Sequence, residues 1–309
     1  MFKNARAAGI LLLLAGCGAD AALDPTASLT DTTAAAPASP AAAAVAQSGA
    51  APASTKGSSI TYQSGATYSG EIRNGKPNGR GTYRTPDGFT YTGTWVDGAI
   101  EGDGEATYPN GSIYAGRFRN GQPDGTGTLT TADGFSYAGQ WSNGVRDGTG
   151  TAKYANGDRY EGSFRADQRE GDGTMTYADG STYTGAFVAG KRVGQGTYTT
   201  QDGFSYSGAW QGDRIEGQGT AKYASGLLHE GGFVNGESSG QGRARYPDGS
   251  TYTGNFSSGK RSGRGRYVRP DGFIYDGEWQ DGQITGRGVA SFPDGTRLEG
   301  RFQNGAFLG

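Results

Sequence analysis

One cysteine and one histidine in 309 residues leave little room for thiol, disulfide or metal chemistry. A lone cysteine, Cys17, excludes an internal disulfide. The lone histidine, His229, has no second histidine or cysteine to share a ligand set or a nucleophile motif with, so no metal or other cofactor is expected. Only 33% of the residues are hydrophobic, which argues against an ordinary globular core. A formal charge of -2 argues against nucleic acid as a partner, because phosphate binding needs a concentrated basic surface. The densest basic cluster, Lys260, Arg261, Arg264, Arg266 and Arg269, is flanked by Asp248 and Asp271 and reads as a solvated face.

What the chain has in excess is glycine and aromatic rings: 59 Gly, 18 Tyr, 13 Phe and 4 Trp. They recur with a fixed spacing. A Tyr-x-Gly-x-aromatic pattern returns every 23 residues from Tyr68, through Tyr91, Tyr114 and Tyr137, to Tyr275 and Leu298, giving eleven starts without an insertion. A glycine lies two residues beyond every start, and a bulky apolar residue two beyond that. A period of this length marks a repeat array in which each unit completes the core of its neighbour.

Within one unit the alternation reads strand, turn, strand. Tyr91, Gly93 and Trp95 share one face, and Thr92 and Thr94 the other. Asp97-Gly98 here, and Asn-Gly in other units, are the dipeptides that close tight hairpins. Gly102, Gly104 and Ala106 occupy the ring-bearing face of the return strand. A ring can lie flat on a neighbouring backbone only where no Cβ intrudes, which explains why glycines alternate with aromatics. The expected fold is all-β: an elongated single-sheet solenoid of stacked antiparallel hairpins over residues 60–309.

The N-terminus reads as an address. Lys3 and Arg6 precede a short apolar run at residues 7–14, too short to span a bilayer, that ends in Leu14-Ala15-Gly16-Cys17. Those four residues resemble the bacterial lipoprotein processing box. The resemblance implies a signal peptide at 1–16, diacylation and palmitoylation at Cys17, and a chain held to a membrane of the cell envelope by lipid. Gly18, rather than Asp, follows the cysteine, which by the usual sorting resemblance favours the outer membrane, on its periplasmic or surface face. Residues 17–59 are rich in Ala, Pro, Ser and Thr and read as a disordered tether.

Residues 91–104, Tyr-x-Gly-x-Trp-x-x-Gly-x-x-x-Gly-x-Gly, resemble the MORN repeat (membrane occupation and recognition nexus), and the resemblance covers nearly everything beyond the tether. It implies a scaffold for protein contacts, with enzymatic activity in the family belonging to appended domains. The departures are Asp167 and Asp213 in place of the turn glycine, His229 and Leu298 in place of Tyr, and Ile72 in place of the ring. The reading is a membrane-anchored, non-enzymatic scaffold that binds another envelope protein. A glycan-binding module for peptidoglycan is the alternative, and an unrecognised hydrolase using carboxylates such as Glu101, Asp103 and Glu105 is the third.

Three residue sets carry site expectations. Cys17 is the lipidation site. Trp95, Trp141, Trp210 and Trp279 either line a ligand-binding face or alternate with Phe in the core, the second being preferred. Phe302, on what reads as the unpaired C-terminal strand, marks a self-association edge for end-to-end homodimers, with Thr61-Tyr62 at the opposite end.

Overall fold

The computed structural model describes residues 52–56 and 58–309, the first five by their backbone alone. Residues 1–16, Cys17 and most of the expected tether lie outside the described residues. Two compact units are present, one running to Lys191 and the other from Arg192 to Gly309. Each is a meander of antiparallel strands, and no helix occurs among the described residues.

The hairpin at Thr90–Val96 and Ala99–Thr107 shows why these residues fold as they do. Asp97 and Gly98 both adopt positive φ, 49° and 90°, the turn whose twist matches a two-residue hairpin. Thr90 pairs with Thr107 and Gly93 with Gly104, and then the register shifts, so that Trp95 lies opposite Ile100. The extra residues on the return strand form a bulge, and Gly102 supplies the positive φ of 71° it needs. The next hairpin, Ile113–Arg119 and Gln122–Thr130, repeats the same register.

Hairpins are joined by more than sheet pairing. The turn amide of Gly98 donates to the carbonyl of Pro77 in the preceding hairpin at 2.9 Å, and that of Gly121 to Ile100 at 3.0 Å. The same bond recurs from Gly236 to Ile215 and from Gly305 to Ile284 in the second unit. Each turn is therefore anchored by the unit before it, which is the local reason that one repeat cannot stand alone.

The core is a file of rings on one face of the strands. Tyr91 meets Trp95 at 5.5 Å and Phe118 at 5.0 Å between ring centroids, both near edge-to-face. Its hydroxyl donates to the carbonyl of Thr94 at 3.2 Å, and Tyr114, Tyr137, Tyr160 and Tyr206 make the same bond three residues on. The glycine rule is steric: a Cβ on Gly104 would enter the Tyr91 ring, and one on Gly173 the Tyr160 ring. Volume is traded along the strand. Tyr83 and Phe89 flank the space that Ala106 and Tyr108 fill one repeat later, with Phe89 packed on Tyr108 at 5.7 Å.

The strand boundaries correct both expected edges. Pairing begins at Pro52–Lys56, which runs antiparallel to Ser59–Tyr62, so Thr61-Tyr62 is not a free edge and pairing starts ahead of residue 60. At the other end, Asn304 and Gly305 turn the chain back, and Ala306–Phe307 pairs with Arg297–Gln303. Phe302 is buried and packs on Tyr275 and Phe307, so it is not an edge residue. The sequence pattern ended at the eleventh start, whereas the turn dipeptide beyond it still closes a short hairpin.

Candidate binding surface

The ring-bearing face is closed to ligands. Trp95, Trp141, Trp210 and Trp279 are between 1% and 4% exposed, and each indole N–H donates to a glycine carbonyl of the preceding strand: Gly81, Gly127, Gly196 and Gly265, at 3.1 to 3.3 Å. With ring and N–H both committed, these residues form no ligand face. The core register holds them because a Trp in that position reaches a neighbouring backbone left accessible by glycine.

His229 sits where other units have Tyr, 3% exposed and edge-on to Phe233 and Phe256 at 5.1 and 4.5 Å. Burial pulls its pKa down to about 4. Its buried Nε2 has no hydrogen-bond partner of good geometry. It is a degenerate core residue with no reach to a substrate.

Of the carboxylates that suggested a hydrolase, Glu101 is engaged in structure. Glu101 accepts the backbone N–H of Asn120 at 2.9 Å, and Glu170 that of Ala189 at 3.0 Å. Asp124, Asp147 and Glu216 bind the corresponding turn amides of the hairpins that follow them. All five occupy one repeat position and tie a turn 19 residues away. Asp103 and Glu105 lie on the opposite, polar face, cross-strand from Arg117 and Ala115. Among the described residues no group of three His, Cys, Asp or Glu side chains could hold a metal ion.

Sequence reading missed a set of arginines inside the ring file. Arg146 and Arg192 are 1% and 2% exposed, and they explain the two turn departures. Arg146 Nε donates to Asp167 Oδ1 at 2.9 Å, and Arg192 Nε to Asp213 Oδ1 at 3.1 Å. In each case a terminal guanidinium nitrogen also reaches the carbonyl of the same aspartate. Arg261 lies over Trp279 at 4.4 Å, with Tyr246, Tyr252 and Tyr267 around it. The signal was available in the sequence: arginine at one repeat position accompanied twice by aspartate 21 residues later.

What remains for partners is the polar face. In the unit from Arg192 onward it carries exposed arginines at Arg243, Arg264, Arg266, Arg287 and Arg301 against Asp276, Glu278 and Glu299. The five-residue basic cluster of the sequence is thus divided. Arg261 turns into the rings, Arg269 pairs with Asp271 in a turn, and Arg264 and Arg266 join arginines from later strands. A groove of about 510 Å³ is lined there by Arg264, Asp276, Arg287, Glu299 and Arg301 over the backbone of Gly277, Gly288 and Gly300.

The family model for the MORN repeat matches ten consecutive segments: 68–90, 91–113, 114–135, 137–159, 160–182, 183–204, 206–227, 229–251, 252–273 and 275–297. No curated protein sequence matches this chain. Among solved structures, the chain is similar to the TCP10 domain of Danio rerio CPAP in complex with a peptide of Danio rerio STIL, at 16% identity and a TM-score of 0.39, covering 74% of this chain and 96% of that one. It is also similar to the SAS-4 (dCPAP) TCP domain of Drosophila melanogaster in complex with a proline-rich motif of Ana2 (dSTIL), at 12% identity and a TM-score of 0.32, covering 56% and 87%.

Proposed function

Starting from the ten matched segments by which the chain belongs to the MORN-repeat family, we propose that it is a non-enzymatic scaffold, anchored by lipid at Cys17, that binds another protein of the cell envelope through its repeat array. One observation carries this reading. The lone histidine, the four Trp and a repeated set of carboxylates are spent on the core and on holding hairpins together, while the polar face of each unit carries side chains that vary from strand to strand. His229 is sealed among rings, Glu101 and Glu170 cap turns, and the four Trp are bound to backbone. A surface with a constant frame and variable exposed side chains is suited to recognition of a macromolecule.

The lipoprotein box supports the anchor and the envelope location, with the outer membrane favoured by Gly18. A peptidoglycan-binding module is the second reading, resting on the reach of the tether. The experiment is in-cell crosslinking followed by mass spectrometry, together with Cys17→Ser. A defined protein crosslinked to repeat residues, and release of the variant from the membrane fraction, are expected. Crosslinks to no protein, with the purified chain sedimenting with cell wall, would replace the scaffold by the glycan reading. A variant still membrane-bound after a high-salt wash, with its signal removed, would remove the anchor.

A further inference from the structure

The polar face of the second unit holds three arginines, Arg264, Arg287 and Arg301, with which its own described carboxylates form no salt bridge. Arg287 on the strand Gln283–Ser291 stands directly opposite Arg301 on the strand Arg297–Gln303. Side chains so paired have Cβ atoms about 5 Å apart, and like charges at that spacing destabilise a sheet. Arg264 lies in the same cross-strand row, opposite Glu278. Glu278, however, turns its carboxylate to the backbone N–H of Arg287, which it accepts at 3.0 Å. Glu299 pairs with Arg297. Among the described residues, no carboxylate forms a salt bridge with Arg264, Arg287 or Arg301.

The groove between these arginines has a floor without side chains. Gly277 and Gly288 direct their missing Cβ positions away from it into the Tyr275 ring, and Gly300 directs its own at the backbone of Gly309, which also lines the groove, so the groove sees only backbone there. An extended chain can lie close to such a floor. Three strand spacings separate Arg264 from Arg301, about 14 Å at roughly 4.8 Å each. Acidic residues four apart in an extended peptide span about 13 Å and point to the same side. Guanidinium forks suit carboxylates in a bidentate geometry. Asp276 and Glu299 on the other bank would repel a dianionic phosphate more strongly than a single carboxylate flanked by peptide N–H groups.

We propose that this groove binds an extended acidic segment of the protein partner, with carboxylates four residues apart on Arg264 and on the Arg287 and Arg301 pair. The proposal rests on the scaffold reading, and it locates that reading's contact. The unfavourable Arg287–Arg301 pairing is then the cost of a site whose charge is completed by the partner.

The test uses the full-length chain and a fluorescein-labelled nine-residue peptide of Ser and Thr with two glutamates four positions apart. Saturable binding is expected that weakens at least tenfold for R264E/R287E/R301E and at 0.5 M salt, and that is absent when the peptide's glutamates are glutamines. Arg80→Glu with Arg117→Glu, on the polar face of the other unit, should leave it unchanged. Should the triple reversal disturb folding, Arg287→Gln serves alone: a melting temperature equal to or above the parent's, with at least threefold weaker binding, supports the site. Equal binding of the glutamate and glutamine peptides, or no loss in either variant, overturns it. So does displacement of the peptide by pyrophosphate or by anionic phosphatidylglycerol vesicles at lower concentration than by unlabelled peptide. A cellular partner crosslinked only through the unit ending at Lys191 would refute the groove and keep the scaffold. Peptide binding with no crosslinked protein in cells would do the reverse.

Discussion

Arg146 and Asp167, 21 residues apart, make four hydrogen bonds: Arg146 N and Nε to Asp167 Oδ1, Nη2 to the Asp167 carbonyl, and Asp167 N to the Arg146 carbonyl, at 2.8 to 3.0 Å. The guanidinium lies within 5.4 to 5.8 Å of the rings of Phe135, Tyr137 and Phe164. Asp167 holds a positive φ of 69° to do this, in a position where most units place glycine. A charge in the ring file and a strained turn are thus two halves of one arrangement.

Asp167→Gly should relieve the backbone and still destabilise, by about 3 kcal/mol, because it leaves a buried guanidinium without its carboxylate. Arg146→Ile alone should cost less, since the Asp167 side chain is 24% exposed and can be hydrated. The double variant recreates the Ile100 and Gly121 combination already present, and should recover most of the loss. Urea unfolding of the four proteins gives the coupling energy. Additive effects would show that the pair is not a unit.

Gly104→Ala tests the steric origin of the glycines. Gly104 does not need positive φ, so the substitution strains nothing except the contact of its Cβ with the Tyr91 ring. A loss of about 1–3 kcal/mol is expected from overpacking. Gly203 has φ of 95° and open space around it. Gly203→Ala should therefore cost only the backbone penalty of about 1–2 kcal/mol, and should leave ring packing unchanged in near-UV circular dichroism. A near-UV change at Gly203 and none at Gly104 would reverse the assignment.

His229 adds an acid-sensitive term. Its folded-state pKa of about 4 lies below the ordinary value of 6.5. Above 6.5 both folded and unfolded chains are neutral there, and the residue contributes no pH dependence. As pH falls from 6.5 towards 4 the unfolded chain takes up a proton that the folded chain refuses, and up to about 3 kcal/mol of stability is lost. His229→Tyr should place a hydroxyl on the Gly232 carbonyl, as Tyr206 does on Ala209, raise stability by about 1 kcal/mol, and abolish this part of the pH profile. Unfolding free energies at pH 7 and pH 4.5 check it. An unchanged difference between the two pH values in the variant would refute the attribution.

The period and the alternation of rings with glycines made the hairpin fold legible, because both follow from local rules that hold in every unit. The bulge at Gly102 was not, since it depends on how Gly93 and Trp95 pair with a strand whose register the sequence does not state. The buried arginines escaped for a different reason. Nothing in the repeat pattern of rings and glycines places the charged Arg146 and Arg192 in the core, and only their aspartates 21 positions on betray the burial. The groove was hidden by the opposite error: Arg261, Arg264 and Arg266 are close in sequence, yet strand alternation sends the first to the rings and the others to the polar face. Arg287 and Arg301, far from them in sequence, complete the site.

Deleting residues 160–182 removes one whole unit, and the contacts to either side predict that the fold survives it. Gly190 then takes the place of Asp167 beside Arg146, and its carbonyl already accepts from the corresponding Arg169 at 2.6 Å. Phe187 replaces Phe164, and Ala189 presents the same turn amide to Asp147 that Ala166 does now. Only the carboxylate is lost, so the melting temperature should drop while a single cooperative β transition remains. Deleting residues 160–170 instead removes all but the first residue of the strand Arg159–Arg165, the turn, and the first three residues of the return strand Gln168–Thr176. Gly171, Gly173 and Met175 then fall where Tyr160, Gly162 and Phe164 paired with Ala152, Gly150 and Gly148, which sets glycines against small residues with no Tyr ring to cover them. That variant should lose its cooperative transition and its far-UV β signal in the affected unit. Similar behaviour of the two deletions, whether both fold or both fail, would show that stability does not follow the 23-residue register.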